Sequence, residues 1–337
     1  MNAPTPAFKG NNTAIVFASD NNFAPYLAVS IQSVINSSNK EKKYEIIVLE
    51  SGIKTKNKDK IKSMLPDNFA VHFVSMDHYI SAYNMHTFFH ERHLNYSAYF
   101  RLFIPEILQN YSRAVYLDSD LIVCEDIANL ANINLCGKHI GAIPDIIVQQ
   151  TKPTKYVDYP MQHSYLKKHL GIKDVFGYFN SGVLVMDLDK MRTEKRLIPD
   201  LIKMAKHNNK YYHDQNVLNA VMQEKVEYLP VEWNFMLSAV VDDNMNISSA
   251  PPNLYTSVQK LIKDGGYKII HYCGYDKPWN FPNSPYANIW WKTAKKTPFY
   301  RHLVKYPKWL GLLLSGFIPN RKNRHHFRKL HIKGDIS

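Results

Sequence analysis

From Thr13 onward the chain alternates short apolar runs with amphipathic stretches. Residues 14–19 (AIVFAS), 44–51 (YEIIVLES) and 71–76 (VHFVSM) predict strands, and residues 24–38 (APYLAVSIQSVINSS) and 56–65 (KNKDKIKSML) predict the helices between them. The apolar runs are rich in β-branched residues and lack polar alternation, the pattern of strands buried on both faces of a parallel sheet. Further along, residues 97–108 (SAYFRLFIPEIL) and 213–223 (HDQNVLNAVMQ) read as helices. Residues 113–123 (RAVYLDSDLIV) read as a strand and loop, and residues 139–145 (HIGAIPD), 179–188 (FNSGVLVMDL) and 267–274 (YKIIHYCG) as strands. Strands alternating with helices predict a doubly wound α/β domain, in which ligands sit beyond the carboxyl ends of the strands. The lysine-rich run 54–62 is most simply a solvated helix face, and no internal repeat is visible.

The candidate chemistry therefore lies just after each apolar run. Asp118 and Asp120 follow one of them at i, i+2. Side chains alternate along a strand, so both carboxylates point one way if the strand persists. Like charges that close repel unless a cation sits between them, and a hard divalent ion prefers such oxygen ligands. The alternative is a turn whose aspartates cap nearby amides. Asp187 and Asp189 share that spacing, but Lys190, Met191 and Arg192 open a helix there, and Asp189 is expected to be its N-cap. The loop 17–22 (FASDNN) could accept the edge of a base or a ribose. Asn180-Ser181-Gly182 interrupts an apolar stretch, where glycine permits either close approach of a ligand or a bulge. His271, Gly274 and Lys277 cluster at the end of the last strand.

Composition narrows the class. At 337 residues, 45% apolar and 21% charged, the chain is globular and long enough for one large domain with an appendage or for two domains. Three cysteines without CxxC spacing argue against a disulfide framework or a four-thiolate zinc site and favour a reducing compartment. No GxGxxG supports dinucleotide chemistry, and no GxSxG elbow supports serine hydrolysis. His86, His90 and His93 recur at helical spacing but form no HExxH zinc motif. The first twelve residues carry no basic-then-apolar signal, and no run reaches the ~20 apolar residues of a spanning helix. The expectation is a chain neither exported by a visible signal nor integral to a bilayer.

Six segments in order resemble the family 8 glycosyltransferases, retaining enzymes that use nucleotide sugars, and in particular bacterial lipopolysaccharide α-galactosyl- and α-glucosyltransferases. They are IVFASDNN, AYFRL, VYLDSDLIV, YFNSGVLVMDL, HDQN and HYCGYDKPW, between residues 13 and 279. The resemblance implies a GT-A-type fold, a Rossmann-like mixed sheet flanked by helices. It implies a uridine diphosphate hexose donor (UDP-Gal or UDP-Glc) and Mn²⁺, with Mg²⁺ as the alternative ion. By similarity Asp118, Asp120 and His271 ligate the metal. Ala18, Asp20 and Asn22 match the uridine–ribose loop, with Phe23 offering stacking. Arg101, Asn180, Asp214 and Gln215 grip the sugar, and Ser181, Gly274 and Lys277 contact sugar, phosphate and leaving group. Relatives often carry a second Asp where this chain has Asn216. Gln215 stands where a double displacement would want a carboxylate, and an amide is a poor nucleophile. A front-face route with the leaving phosphate as base is therefore favoured, with Asp214 and Gln215 as the catalytic pair. His93, Asp145 and His213 match acceptor-side positions more loosely.

The net charge of +13 is concentrated at one end. Residues 292–337 hold twelve of the 42 basic and one of the 29 acidic side chains, interleaved with aromatics and a Leu310–Leu314 apolar run. Basic residues flanking an apolar, aromatic patch suit an interfacial membrane segment. Nucleic acid has no use for the leucines. The expected organisation is an extension (residues 1–12), a catalytic domain (13–291) and a membrane-associating tail (292–337), with a cytoplasmic enzyme peripheral on the inner face of the cell membrane and a lipid-linked glycan acceptor. The competing readings are a transferase of protein glycans, a nucleotidyltransferase releasing pyrophosphate, and a silent nucleotide-sugar binding protein.

Overall fold

The computed structural model describes residues 3–10, 12–88, 96–153, 158–208, 210–238, 247–274 and 277–305. Its frame is a seven-stranded sheet of order β3-β2-β1-β4-β7-β6-β8. The strands are β1 (Asn12–Asp20), β2 (Lys43–Ser51), β3 (Phe69–Ser75), β4 (Arg113–Leu117), β6 (Ile140–Pro144), β7 (Phe179–Asp187) and β8 (Val226–Tyr228). β5 (Leu121–Val123), β9 (Phe235–Met236) and β10 (Ile269–His271) form a second, three-stranded sheet of order β5-β10-β9.

Strict alternation explains why the apolar runs build this sheet. Ile15 and Phe17 of β1, Val115 and Leu117 of β4, and Val183 and Val185 of β7 enter one core. Their intervening neighbours Ala14, Val16, Ala114, Tyr116, Leu184 and Met186 enter the core on the other face. Both faces are covered, so no polar alternation is needed. The helix Ala24–Ser37 lies in the first core with Tyr272 and Trp290, and the segment 96–107 and the helices Leu197–His207 and His213–Val221 contribute to the second.

The sheet is mixed. β1 pairs in parallel with both β2 and β4, but β7 runs antiparallel to both β4 and β6. β6 and β8 pair in parallel and run the same way as β1 to β4, so β7 alone is reversed; a strand buried on both faces looks the same in either direction. Because β2 and β4 flank β1 on opposite sides, the carboxyl ends of β1 and β4 meet at a topological switch point, where α/β sheets bind ligands. Three further differences from expectation have local causes. Residues Tyr96–Phe103 wind as 3₁₀ turns before a short α-helix, Ile104–Ile107; Arg101 Nε donates to the Ala98 carbonyl oxygen at 2.9 Å, and Pro105 has no N–H to carry an α-helical ladder back to the Arg101 carbonyl. Asp187, not Asp189, caps the helix Leu188–Thr193, accepting from Lys190 N at 2.9 Å; Asp189 lies in its first turn and pairs with Arg192. The helix Ala287–Ala294 spans positions 291 and 292, and Phe299 and Leu303 beyond it join the first core. Burying such side chains contributes about 1.5–3 kcal/mol each, so the packed body continues to at least Leu303. Residues 306–337, the greater part of the tail, lie outside the described residues.

Candidate active site

Asp118 is the first residue after β4, and its backbone N–H donates to the Gly182 carbonyl at 2.8 Å. Asp120 immediately precedes β5, and its carbonyl accepts from Tyr272 N at 3.0 Å. The turn between them is held from below: Ser30 Oγ shares its hydrogen between the Ser119 and Leu121 carbonyls, both at 2.9 Å, and Ser119 Oγ donates to the Ala18 carbonyl at 3.1 Å. His271 ends β10 opposite Leu121, which sets its ring beside Asp120. The second small sheet therefore exists, in functional terms, to bring His271 to the aspartate turn.

One ligand atom from each of Asp118, Asp120 and His271 lies within 4.8 Å of the others. Nε2 of His271 stands 3.8 Å from Asp118 Oδ2 and 3.2 Å from Asp120 Oδ1. The remaining polar atoms of the three side chains are engaged elsewhere. Asp118 Oδ1 accepts from Arg101 Nη2 at 2.8 Å and from the Tyr116 hydroxyl at 2.9 Å. Lys277 Nζ donates to Asp120 Oδ2 and also to the Tyr272 carbonyl, the latter at 2.5 Å. His271 Nδ1 lies 2.9 Å from Asn234 Oδ1. Asp120 Oδ1 is buried and accepts no hydrogen bond among the described residues. Burial by itself would raise the Asp120 pKa, but the Lys277 ammonium and the His271 ring hold it well below the usual carboxylate range. Two carboxylate oxygens and an imidazole nitrogen, otherwise idle and facing one another, fit a divalent cation by both geometry and donor type.

Gly182 closes this cradle. A Cβ built there would lie 2.7 Å from Asp118 Oδ2, 3.0 Å from Asn180 Oδ1 and closer still to His271 Cε1. The strand is also irregular here, with the β6–β7 register shifting between Ala142 and Ile143. The bulge expected as one alternative is present, and the groups that approach Gly182 closely are the protein's own Asp118, Asn180 and His271.

Beside the cradle lies a buried polar cluster. Arg101 bridges two carboxylates, donating to Asp118 and, from Nε, pairing with Asp214 Oδ2 at 3.0 Å. Its Nη1 reaches the Ser181 carbonyl at 2.6 Å, and its guanidinium carbon stacks 4.3 Å from the Tyr116 ring centroid. Desolvation opposes the charge on Arg101, but Asp118 and Asp214 outweigh it and raise its pKa. Burial raises the Asp214 pKa despite that pairing. Gln215 Oε1 accepts from Ser181 N at 3.0 Å and Asn180 Nδ2 at 3.1 Å, while its Nε2 donates to Asp145 Oδ2 at 3.1 Å. Asp145, 3% exposed, also accepts from Asn180 Nδ2 and from the backbone N–H groups of Ile147 and Val148. It therefore sits behind Asn180 and Gln215, orienting both; its burial raises its pKa.

The remaining expected residues distribute around this centre. Asp20 Oδ1 accepts from Phe23 N at 2.8 Å in the turn that starts the Ala24–Ser37 helix, and Asn22 is exposed at its tip. Phe23 meets Trp279 edge-on, while Tyr26 and Trp279 stack at 4.1 Å, so the β1 loop and the segment after Lys277 are joined by aromatic packing. Gly274 is exposed with φ +80°, a conformation L side chains rarely adopt. His213 is buried at the start of its helix with φ +41°, its carbonyl accepting from Asn208. His93 and His90 lie outside the described residues. Three contributors are not apparent from the sequence: Asn234, Tyr116 and Ser30. Only Asn234 left a trace, as an amide set in the hydrophobic stretch 233–237 (WNFML).

A Rossmann-like mixed sheet whose switch point carries paired aspartates is the architecture of the GT-A glycosyltransferases. The Glycosyl transferase family 8 model matches residues 14–282, and the chain belongs to that family. It is 26% identical over 302 residues to General stress protein A of Bacillus subtilis, covering 88% of this chain and 94% of that one. It is 30% identical over 201 residues to the lipopolysaccharide 1,2-glucosyltransferase of Escherichia coli, covering 57% of this chain and 52% of that enzyme. Among solved structures, the bifunctional glycosyltransferase WbbM in its apo form superposes with a TM-score of 0.75 at 26% identity, over 90% of this chain and 53% of that one.

Proposed function

We propose that this glycosyltransferase moves Gal or Glc from its uridine diphosphate donor to a glycan hydroxyl with retention of configuration, using Mn²⁺, or Mg²⁺ in its place. The observation that carries the reading is the convergence of Asp118 Oδ2, Asp120 Oδ1 and His271 Nε2, each the ligand atom of its side chain left without a hydrogen bond among the described residues. A divalent ion held by these three would supply positive charge against the departing diphosphate. Lys277 is tethered to the same carboxylate and adds a point charge for that leaving group. Ala18, Asp20, Asn22 and Phe23 form the β1 edge that receives the uridine and ribose. Arg101, Asn180, Ser181, Asp214 and Gln215 hold the hexose, and Gly274 lets the backbone approach the phosphate. On the acceptor side stand His213 and, behind the sugar-holding amides, Asp145.

Retention proceeds by front-face attack, with the leaving phosphate taking the acceptor's proton. Gln215 is a poor nucleophile twice over: it is an amide, and its oxygen already accepts hydrogen bonds from Asn180 and Ser181. Asp214 is committed to Arg101 and Ser181. The acceptor is a lipopolysaccharide or lipooligosaccharide glycan, a reading supported by the name of the E. coli relative. Residues 306–337 bring the enzyme to the anionic inner face of the cell membrane, supported by seven Lys/Arg flanking Trp309 and the leucine run. No helix among the described residues is long and apolar enough to cross a membrane.

The test is hydrolysis of a panel of nucleotide sugars with and without Mn²⁺, followed by acceptor screening on lipooligosaccharide fragments. Release of UDP from UDP-Gal or UDP-Glc, abolished in Asp120→Ala, is expected. Release of pyrophosphate, or a rate indifferent to Asp120→Ala, would overturn the assignment. Mass spectrometry of the enzyme trapped in turnover should show no glycosyl adduct on Asp214 or Gln215.

A further inference from the structure

We propose that Asn234 is a positioning residue that fixes which nitrogen of His271 faces the aspartates, and that it takes this information from the backbone through Asn180. The proposal rests on the metal-binding reading above, since its purpose is to present Nε2 as a ligand.

The hydrogen-bond chain can be read in only one direction. The backbone N–H of Gly182 is an unambiguous donor, and it lies 2.9 Å from Asn180 Oδ1, so that atom is the amide oxygen. Asn180 Nδ2 then faces Asp145 Oδ2 and Gln215 Oε1, both at 3.1 Å and both acceptors; the latter is fixed as oxygen in turn by Ser181 N. The Asn234 atom 2.9 Å from Asn180 Oδ1 must be a donor, hence Nδ2, which turns Asn234 Oδ1 toward His271. An oxygen at 2.9 Å requires hydrogen on Nδ1. Nδ1–H is therefore set whatever the state of Nε2, and Nε2 is the nitrogen left to bind. Metal-ligating histidines commonly have their second nitrogen held in this way, and losing such a partner typically costs 10–100-fold in metal affinity.

The placement of Asn234 follows from the small sheet. It directly precedes β9, and β9 pairs in parallel with β10, with Met236 opposite His271 and Leu237 N donating to the His271 carbonyl at 2.9 Å. Asn234 is 1% exposed, so no solvent substitutes for either of its partners. The same chain runs on into the sugar-holding amides. Asn180 Oδ1 accepts from both Gly182 and Asn234, while its Nδ2 serves Asp145 and Gln215, so one asparagine joins the imidazole to the hexose side.

Two substitutions separate the two ends of the chain. Asn234→Leu removes the acceptor for Nδ1–H, and Mn²⁺ affinity of the donor-free protein, titrated by electron paramagnetic resonance, should fall 10–100-fold. Asn234→Asp keeps an acceptor for His271 but sets an oxygen against Asn180 Oδ1. It should bind Mn²⁺ about as tightly as the wild type while donor hydrolysis at saturating Mn²⁺ drops. Ring ¹⁵N shifts of His271 in the metal-free wild type provide a readout independent of any variant's folding: Nδ1 should carry hydrogen. A bare Nδ1, wild-type Mn²⁺ affinity in Asn234→Leu, or equal loss of Mn²⁺ in a folded Asn234→Asp would each overturn the proposal. If the wild type binds no Mn²⁺ at all but Nδ1 is protonated, the metal reading fails and the positioning chain stands.

Discussion

Replacing Gly182 with alanine adds a single methyl group at the most crowded point of the site. The new Cβ would stand 2.7 Å from Asp118 Oδ2 and nearer still to the His271 ring. To restore ordinary van der Waals contact, the carboxylate oxygen must retreat by roughly 0.7 Å and the ring by more. Neither is the loose end of a flexible chain. Asp118 is pinned through Oδ1 by Arg101 and Tyr116, and His271 is 3% exposed and tied to Asn234. Overpacking of this kind costs about 1–3 kcal/mol of stability. Displacing ligand atoms by an amount approaching 1 Å costs on the order of 10²-fold in rate, equivalent to about 2.7 kcal/mol of barrier. We expect Gly182→Ala to remain folded, to bind Mn²⁺ more weakly, and to hydrolyse its nucleotide-sugar donor about 100-fold more slowly at saturating metal. The assay is UDP release against Mn²⁺ concentration, with thermal unfolding alongside. A folded variant with wild-type rate and metal affinity would show that the cradle is not the reacting centre.

Lys277→Met should lower donor hydrolysis by about 10²–10³-fold without weakening Mn²⁺ binding to the donor-free protein, since it releases an Asp120 oxygen; hydrolysis within threefold of wild type would exclude a leaving-group role. Far from the site, Glu45 is fully buried, and although desolvation raises its pKa, His72, Tyr111 and the amides of Ala7 and Phe8 bring it below its ordinary 4.5. A depressed carboxylate stabilises the fold above its unfolded value and ceases to do so as pH falls through its folded value. The unfolding free-energy gap between wild type and Glu45→Gln should thus be constant above about pH 5 and shrink below 4.5; a gap that widens on acidification would refute this. A chain ending after residue 305 keeps Phe299 and Leu303 in the core, and should lose the salt-sensitive binding to anionic liposomes expected of the full chain; sedimentation unchanged by the truncation would rule out the tail as the anchor.

The longer strands were legible along the chain because apolar runs must be buried, and burial does not depend on knowing the partner. The pairing of Asp118 and Asp120 was legible too, since local spacing survives into three dimensions, while the chain left open whether a continuing strand or a turn carries them; the structure has the turn. The family resemblance named Arg101, Asn180, Ser181, Asp214 and Gln215 segment by segment, and the fold brings them together beside the aspartates. What could not be read was anything set by contacts between distant segments. The antiparallel direction of β7 is one case, because a fully buried strand has no polar face to mark its orientation. The short β8 and β9 are another, being two or three residues each and stabilised only by their neighbours.

The amino-acid sequence alone thus determined that this protein is an α/β glycosyltransferase-like chain with two metal-suited carboxylates and a basic end, since hydrophobic pattern and motif spacing are properties of the chain itself. Tertiary structure alone decided which oxygen of each aspartate is free, that Arg101 ties Asp118 to Asp214, and that Asn234 orients His271. Most of those facts rest on hydrogen bonds between segments far apart in the chain, and a hydrogen bond's direction is fixed only when donor and acceptor are brought face to face.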